Sequence, residues 1–372
     1  VLDFTSALYL GLFHRGETLP RWKQLTLGKP AALEAQPGSA SVGRLLAALQ
    51  GCEAGTLGPS TLHLFWDLFD VLAQEDIAVF VDAKTYPIAS WGAERAAMQG
   101  VSVRRFPHHR ARALRRLAGA ASARGKRPVI VTDGYCPDCG RLAPLGDYVD
   151  LARRLRGLLV VDDTQALGIL GASPAPRMPY GYGGGGSLRH AGIDSPEVVL
   201  VSSLAKGFGV PTAVIAGSRS FIASFEDNSQ TRLHCSPPSI LDVHAAEHAL
   251  AVNQRHGEAL RRKLLGNLRR FRRGIAEFGV ALNGGVFPVQ SLELPVEVAA
   301  EAAHRKLRER GIQTLLRRGR ALRPEITFLL TARHGSDEID RAVEIVGEEL
   351  GCLVGTTSGK GVHHAQLDGH RI

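Results

Sequence analysis

Four short apolar runs, each ending in a polar residue, constrain this chain more than any other feature: Ile77 to Asp82, Pro128 to Asp133, Leu158 to Asp162 and Val198 to Ser203. Runs of this kind are the pattern of strands buried on both faces, and they alternate with helical stretches such as Asp147 to Arg156. The spacing predicts an α/β domain with a mostly parallel central sheet and helices on both faces. In open sheets of this type ligands gather at the carboxyl ends of strands, which is where Asp82, Asp133, Asp162 and Ser203 fall. With 372 residues, 44% of them hydrophobic, the chain can also bury a second, smaller core.

Pro237-Pro238 closes the first region. A long amphipathic helix over about 240–277 follows, then Ser291 to Pro295, a helix around Val298 to Arg310, and Glu325 to Thr331, which together predict a smaller α+β domain. The expected organisation is an amino-terminal segment 1–44 associated with the small domain, a large domain 45–240, a small carboxyl-terminal domain 241–354 and a flexible tail 355–372. The glycine-rich segment 181–186 reads as an exposed loop between two core strands.

The net charge of +9 fits attraction of anionic small molecules, phosphate esters among them. Its arginines spread along expected helical stretches such as 103–116, 153–156 and 261–273, with no aromatic-interleaved basic motif, so no nucleic-acid partner is expected. No apolar run approaches the length of about 18 residues that a membrane helix needs, and no secretion signal is visible; the first residue, Val1, leaves residues upstream of it open. Five cysteines, an odd number, argue for a reducing, cytoplasmic setting over a disulfide framework. Cys136-Pro-Asp-Cys139-Gly140 resembles one knuckle of a zinc ribbon but lacks a second cysteine pair, so no metal is expected. Gly355 to Gly361 fails as a phosphate loop because Val354 and Gly361 occupy two required positions.

The chain has eight lysines against 37 arginines, yet keeps Lys206 between an apolar strand and a glycine turn. Arginine stays protonated and forms no imine, so this position suits a Schiff-base lysine; a surface lysine is the plainer reading. Asp162, at the end of Leu-Leu-Val-Val-Asp, could hold a pyridine nitrogen protonated or could simply cap a turn. Gly55 to Thr61 opens an amphipathic helix over about 61–73, where free amides and the hydroxyls of Ser60 and Thr61 suit a phosphate, or where Ser60 and Thr61 serve only as a cap. Ser203 could add a hydroxyl, and Tyr86 could stack on a flat ring or pack in a core. Together these features describe a site for pyridoxal 5'-phosphate.

On these motifs the chain resembles the α-oxoamine synthase family of fold-type I pyridoxal-phosphate enzymes, related to the class II aminotransferases. The resemblance spans Asp3 to Leu12, Gly140 to Leu145, Asp162 to Gly171, Ser203 to Gly209, and Thr331 to His334 with Asp337 to Asp340. It implies that Lys206 carries the cofactor, Asp162 pairs with the ring nitrogen, and Ser203, Ser60 and Thr61 hold the phosphate. Tyr86 and Gln165 fall where the family has histidines near the ring. It further implies a homodimer that condenses an amino acid or amine with an acyl-CoA or other acyl thioester, through a Schiff base at Lys206 and a quinonoid carbanion. Two alternatives stay open: an aminotransferase acting on an amine or unusual amino acid, and a non-catalytic scaffold. The family's usual carboxylate clamp is altered, with Ala7 in the opening motif and Glu325 or Thr327 at the arginine position, so Arg323 is the candidate replacement. The motif ending in Pro237-Pro238 lacks the family's Ser-Thr pair, and the loop from Pro174 to Ser187 could reshape access for substrate.

Overall fold

The computed structural model describes residues 1–294, 300–318 and 324–357. Seven strands form the main sheet: β1 Ala54–Gly58, β2 Ile77–Asp82, β3 Ser102–Phe106, β4 Arg127–Asp133, β5 Leu158–Asp162, β6 Val198–Ser203 and β7 Ala213–Gly217. Their spatial order is β1-β7-β6-β5-β4-β2-β3, and β7 alone runs against its neighbours. β2, β4, β5 and β6 are the four apolar runs singled out from the sequence, and all lie inside the sheet. Their residues are buried along almost their whole length, because helices cover both faces. Helices Thr61–Leu72, Pro87–Met98 and Arg219–Asn228 pack on one face around Phe65, Phe69 and Phe225. Helices Ala111–Ser122 and Leu145–Arg154 pack on the other around Phe106, Tyr148 and Leu114.

The expected helix over 103–116 is a strand for its first part. β3 is the edge strand paired only with β2, so Arg104 and Arg105 remain solvent-exposed while the backbone completes the sheet. The long helix forms at Ile240–Glu277. Pro237-Pro238 keeps this helix from starting earlier, and Ser239 and Asp242 make a reciprocal capping box, with the Ser239 amide donating to Asp242 Oδ2 at 3.0 Å and the Asp242 amide donating to Ser239 Oγ at 3.2 Å.

The second sheet is antiparallel, in the order Ala281–Asn283, Val289–Glu293, Pro324–Leu329, Leu315–Arg318. The chain's first strand, Leu2–Asp3, pairs with Ile312–Gln313, and Phe4 packs against Phe271 and Phe328, so the amino terminus belongs to this part of the fold. The last helix runs Ser336–Thr357; the remainder of the expected tail, and Arg323, lie outside the described residues.

The glycine segment 181–186 is not an exposed loop. Tyr182 and Gly183 face solvent, but Gly181, Gly184, Gly185 and Gly186 are buried, and the segment bridges back to Leu167 and Ala172. At Gly186, with φ of +92°, an added Cβ would stand 1.9 Å from Asp163 Oδ2. Close backbone approach, rather than loop flexibility, is what these glycines permit. The loop from Pro174 to Ser187 thereby folds onto the strand-end turn and leaves the walls of the main cavity to other segments.

Candidate active site

The cavity, about 430 Å³, opens where β4, β5 and β6 end. Lys206, Asp162, Gln165, Tyr86, Thr61 and Ser203 all line it. The Lys206 turn is pinned on both sides by Leu204 and Phe208, each buried, and by the Leu204 amide donating to the Thr212 carbonyl at 2.9 Å. Lys206 Nζ sits 5.6 Å from the centre of the Tyr86 ring, which is half exposed and so offers a face toward the cavity.

Two carboxyls stand side by side here, because Asp133 and Asp162 are register partners on parallel strands β4 and β5. Asp133 accepts the Tyr86 amide at 3.0 Å, and Asp162 accepts the Thr164 amide at 3.0 Å. Burial pushes both carboxyls upward; for Asp133 the neighbouring Asp162 charge adds to this, and for Asp162 the Thr164 hydrogen bonds and Lys206 oppose it. Burial lowers the Lys206 amine against the pull of Asp162 and Asp133, which favours the neutral, nucleophilic form. No ion pair closes on Lys206 among the described residues, and its amine and both carboxyls line the same cavity.

A flat, cationic heteroaromatic aldehyde with an anionic arm fits these groups. Lys206 can take the aldehyde, Asp162 the ring N–H, Tyr86 the ring face, and Thr61 with Ser203 the anion. Ser60 is placed elsewhere: its hydroxyl accepts the His63 amide at 3.5 Å and pairs with His63 Nδ1 at 2.9 Å, as the cap of helix Thr61–Leu72. Gln165 accepts the Tyr9 hydroxyl at 2.8 Å, leaving its amide NH₂ free to donate toward the cavity. Asp82, the fourth strand-end residue, turns away and binds His108 and His109.

Three site residues escape the sequence reading. Thr164 receives the Ser203 amide on its hydroxyl at 3.0 Å and so ties the β5 and β6 turns together. Asp138 and Arg317 form an ion pair at 2.9 Å on the cavity wall. Arg317 Nε also donates to Thr327 Oγ1 at 3.1 Å, and Arg317 is the register partner of Glu325. A guanidinium from the adjacent strand therefore occupies the neighbourhood of the two positions where the resemblance leaves an arginine missing. Only the strand pairing reveals it, since Arg317 lies ten residues upstream of Thr327.

A family model for aminotransferases of classes I and II matches residues 44–346. The chain belongs to that family. Within it the chain is an α-oxoamine synthase relative. It is 33% identical to 8-amino-7-oxononanoate synthase of Methylococcus capsulatus over 68% of this chain and 63% of that enzyme. It is 32% identical to the enzyme of the same name from Alkalilimnicola ehrlichii over 85% of this chain and 78% of the other. The chain thus spans less than two thirds of the Methylococcus relative's length. The fold also matches serine palmitoyltransferase of Sphingomonas wittichii, with a TM-score of 0.82 at 17% identity over 95% of this chain and 88% of that one. For 8-amino-7-oxononanoate synthase of Francisella tularensis the TM-score is 0.73 at 18% identity, over 95% and 98% of the two chains. The mostly parallel fold-type I architecture expected from the sequence is the one observed.

Behind the cavity, Asp163 is fully buried and accepts the Ser187 amide on both oxygens, at 3.2 and 3.0 Å. Burial raises its carboxyl from 3.8 to about 7. The native state then holds a proton that the unfolded chain has released, so this group's contribution to stability is full below about pH 4 and falls as pH rises toward 7. Asp163→Asn keeps one acceptor oxygen and cannot ionise. Its denaturant midpoint relative to wild type is expected to climb between about pH 4 and 7 and to level off above that; parallel pH profiles would remove the argument.

Proposed function

We propose that this chain is a pyridoxal-phosphate-dependent transferase that condenses the α-carbon of an amino acid with an acyl thioester to form an aminoketone. The observation that carries this reading is the convergence of Lys206, Asp162 and Tyr86 on one cavity, with Arg317 across from them. The names of the relatives, 8-amino-7-oxononanoate synthase and serine palmitoyltransferase, support the acyl-transfer class.

When bound, the cofactor supplies an electron sink for a carbanion. The protein's part is to place charges and protons. Lys206 would hold the cofactor through its amine, and the same amine is the group placed to move the substrate's α-proton. Asp162 would hold the ring nitrogen protonated, and its burial would strengthen that pairing in a site of low dielectric. Gln165, fixed by Tyr9, would donate its amide N–H to the ring oxygen. Arg317 holds the substrate carboxylate, in the role the sequence reading gave to Arg323. The net positive charge draws in both anionic substrates.

Asp162→Asn is expected to keep the cofactor bound while slowing turnover by about 10²-fold or more, as loss of a preorganised charge partner does. Undiminished turnover would count against the electron-sink role.

We further propose a homodimer. Trp66 and Leu62 on helix Thr61–Leu72, and Trp91 and Met98 on the adjoining helix Pro87–Met98, are all solvent-exposed in one chain, an apolar face beside the cavity. The four described cysteines are free, which fits the cytoplasm. No helix among the described residues is long and apolar enough to cross a membrane.

The reaction class is tested by supplying the loaded enzyme with amino acids and an acyl thioester. Release of free thiol, dependent on the amino acid, is the expected result. Amino-group transfer to a 2-oxo acid with no thioester requirement would instead establish the aminotransferase.

A further inference from the structure

Beside the cavity, the sequence's lone zinc-knuckle pattern acquires the partners it lacked. Tyr135–Cys136 and Arg141–Leu142 pair as a short antiparallel hairpin, with Gly140 at φ of +67° and its amide donating to the Cys136 carbonyl at 2.9 Å. The hairpin tip holds Cys139 up against His108, whose Nε2 lies 3.3 Å from Cys139 Sγ. One ligand atom each from His108, His109 and Cys139 lie within 4.8 Å of one another, so that small side-chain rotations would bring all three to one ion at zinc bonds of about 2.0–2.3 Å. The Cys136 thiol adjoins that of Cys139.

The surroundings are those of a ligand set held in advance. Asp82 is 1% exposed, and one oxygen takes His108 Nδ1 at 2.7 Å while the other takes the His109 amide at 2.9 Å. A carboxylate on one imidazole nitrogen fixes the tautomer and aims the other nitrogen outward, which is the usual support behind a metal-bound histidine. His109 has a left-handed backbone, φ of +56°, a conformation that costs energy for a residue with a side chain. That backbone sets its ring against His108, centroids 3.7 Å apart.

We propose that His108, His109 and Cys139 bind one divalent ion of the zinc class, with the adjoining Cys136 thiol as the candidate fourth ligand, a structural site at the rim of the active-site cavity. Thiolate and imidazole ligands together select zinc over harder cations. The hairpin connects this site to the cavity: Cys136, Pro137 and Asp138 line the wall, and Asp138 holds Arg317. The metal would therefore fix the loop that orients Arg317. The site itself stands apart from the proposed chemistry, because it is read without substrate or cofactor.

The test is to reduce the full chain, load it with Zn²⁺ or with Co²⁺ as a spectroscopic substitute, remove free metal and count bound ions by elemental analysis. One ion per chain is expected, with tetrahedral cobalt bands and a thiolate charge-transfer band. Chelation should lower the melting temperature. His108→Ala and Cys139→Ser should each abolish the bound ion, and Cys136→Ser should weaken the charge-transfer band. Because His363, His364 and His370 could also take metal, the variants decide the matter. Full metal content in both His108→Ala and Cys139→Ser overturns the proposal, as does absence of bound metal in the reduced, folded wild type. A Cys136–Cys139 disulfide that persists under the reducing conditions, seen as loss of two thiol hydrogens by mass spectrometry, also overturns it in favour of a redox pair.

Discussion

Replacing Lys206 with alanine is expected to lower turnover by about 10⁴-fold or more, the upper range of what a positioned proton-transfer group contributes, with loss of its covalent role added. The protein should still fold, since the Lys206 side chain closes no ion pair among the described residues and its turn is anchored by buried Leu204 and Phe208. In wild type, borohydride should fix the cofactor to the chain in a way that survives denaturation. In the variant it should not. Cofactor still fixed covalently in Lys206→Ala would show that a different amine does the work, and the whole site assignment would fall.

Arg317→Ala is expected to cost about 1.5–3 kcal/mol in binding of the substrate carboxylate, a drop of roughly 10- to 100-fold in kcat/KM, expressed mainly in KM. The comparison that isolates the cause is an amino acid against the corresponding amine without its carboxylate. The amine should lose little. Arg317 is tied to Asp138, so a substrate carboxylate must share or displace that partner. Asp138→Asn should accordingly leave the amine unaffected and strengthen amino-acid binding modestly. Equal losses for both substrates on Arg317→Ala would make the arginine a wall-packing residue and return the clamp to Arg323 or elsewhere.

The sequence alone determined the layered α/β core and the order of its ligand-bearing ends. Unbroken apolar runs such as Leu158 to Asp162 can be buried on both faces only inside a sheet, and a residue at the end of such a run must emerge at the sheet's carboxyl edge. That local logic brings Asp162, Ser203 and Lys206 to one cavity without knowledge of any long-range contact. It also locates the long helix, because Pro237-Pro238 and the Ser239 cap are local signals.

Tertiary structure decided whatever depends on which strand lies beside which. Arg317 reaches the site because Leu315–Arg318 pairs with Pro324–Leu329, a register that the arginine-rich sequence there does not encode by itself. Asp82 and Asp162 look alike as strand-ending aspartates, yet one faces the cavity and the other binds His108, since the turn after β3 folds back only over β2. The same turn sets His108 and His109 beside Cys139, about thirty residues away in the chain, and so supplies the second pair that the knuckle lacks in sequence. Buried glycines at 181–186 carry the same lesson: composition gives the flexibility, but only the neighbouring Asp163 and Tyr182 backbone reveal that the missing side chains make room for contact.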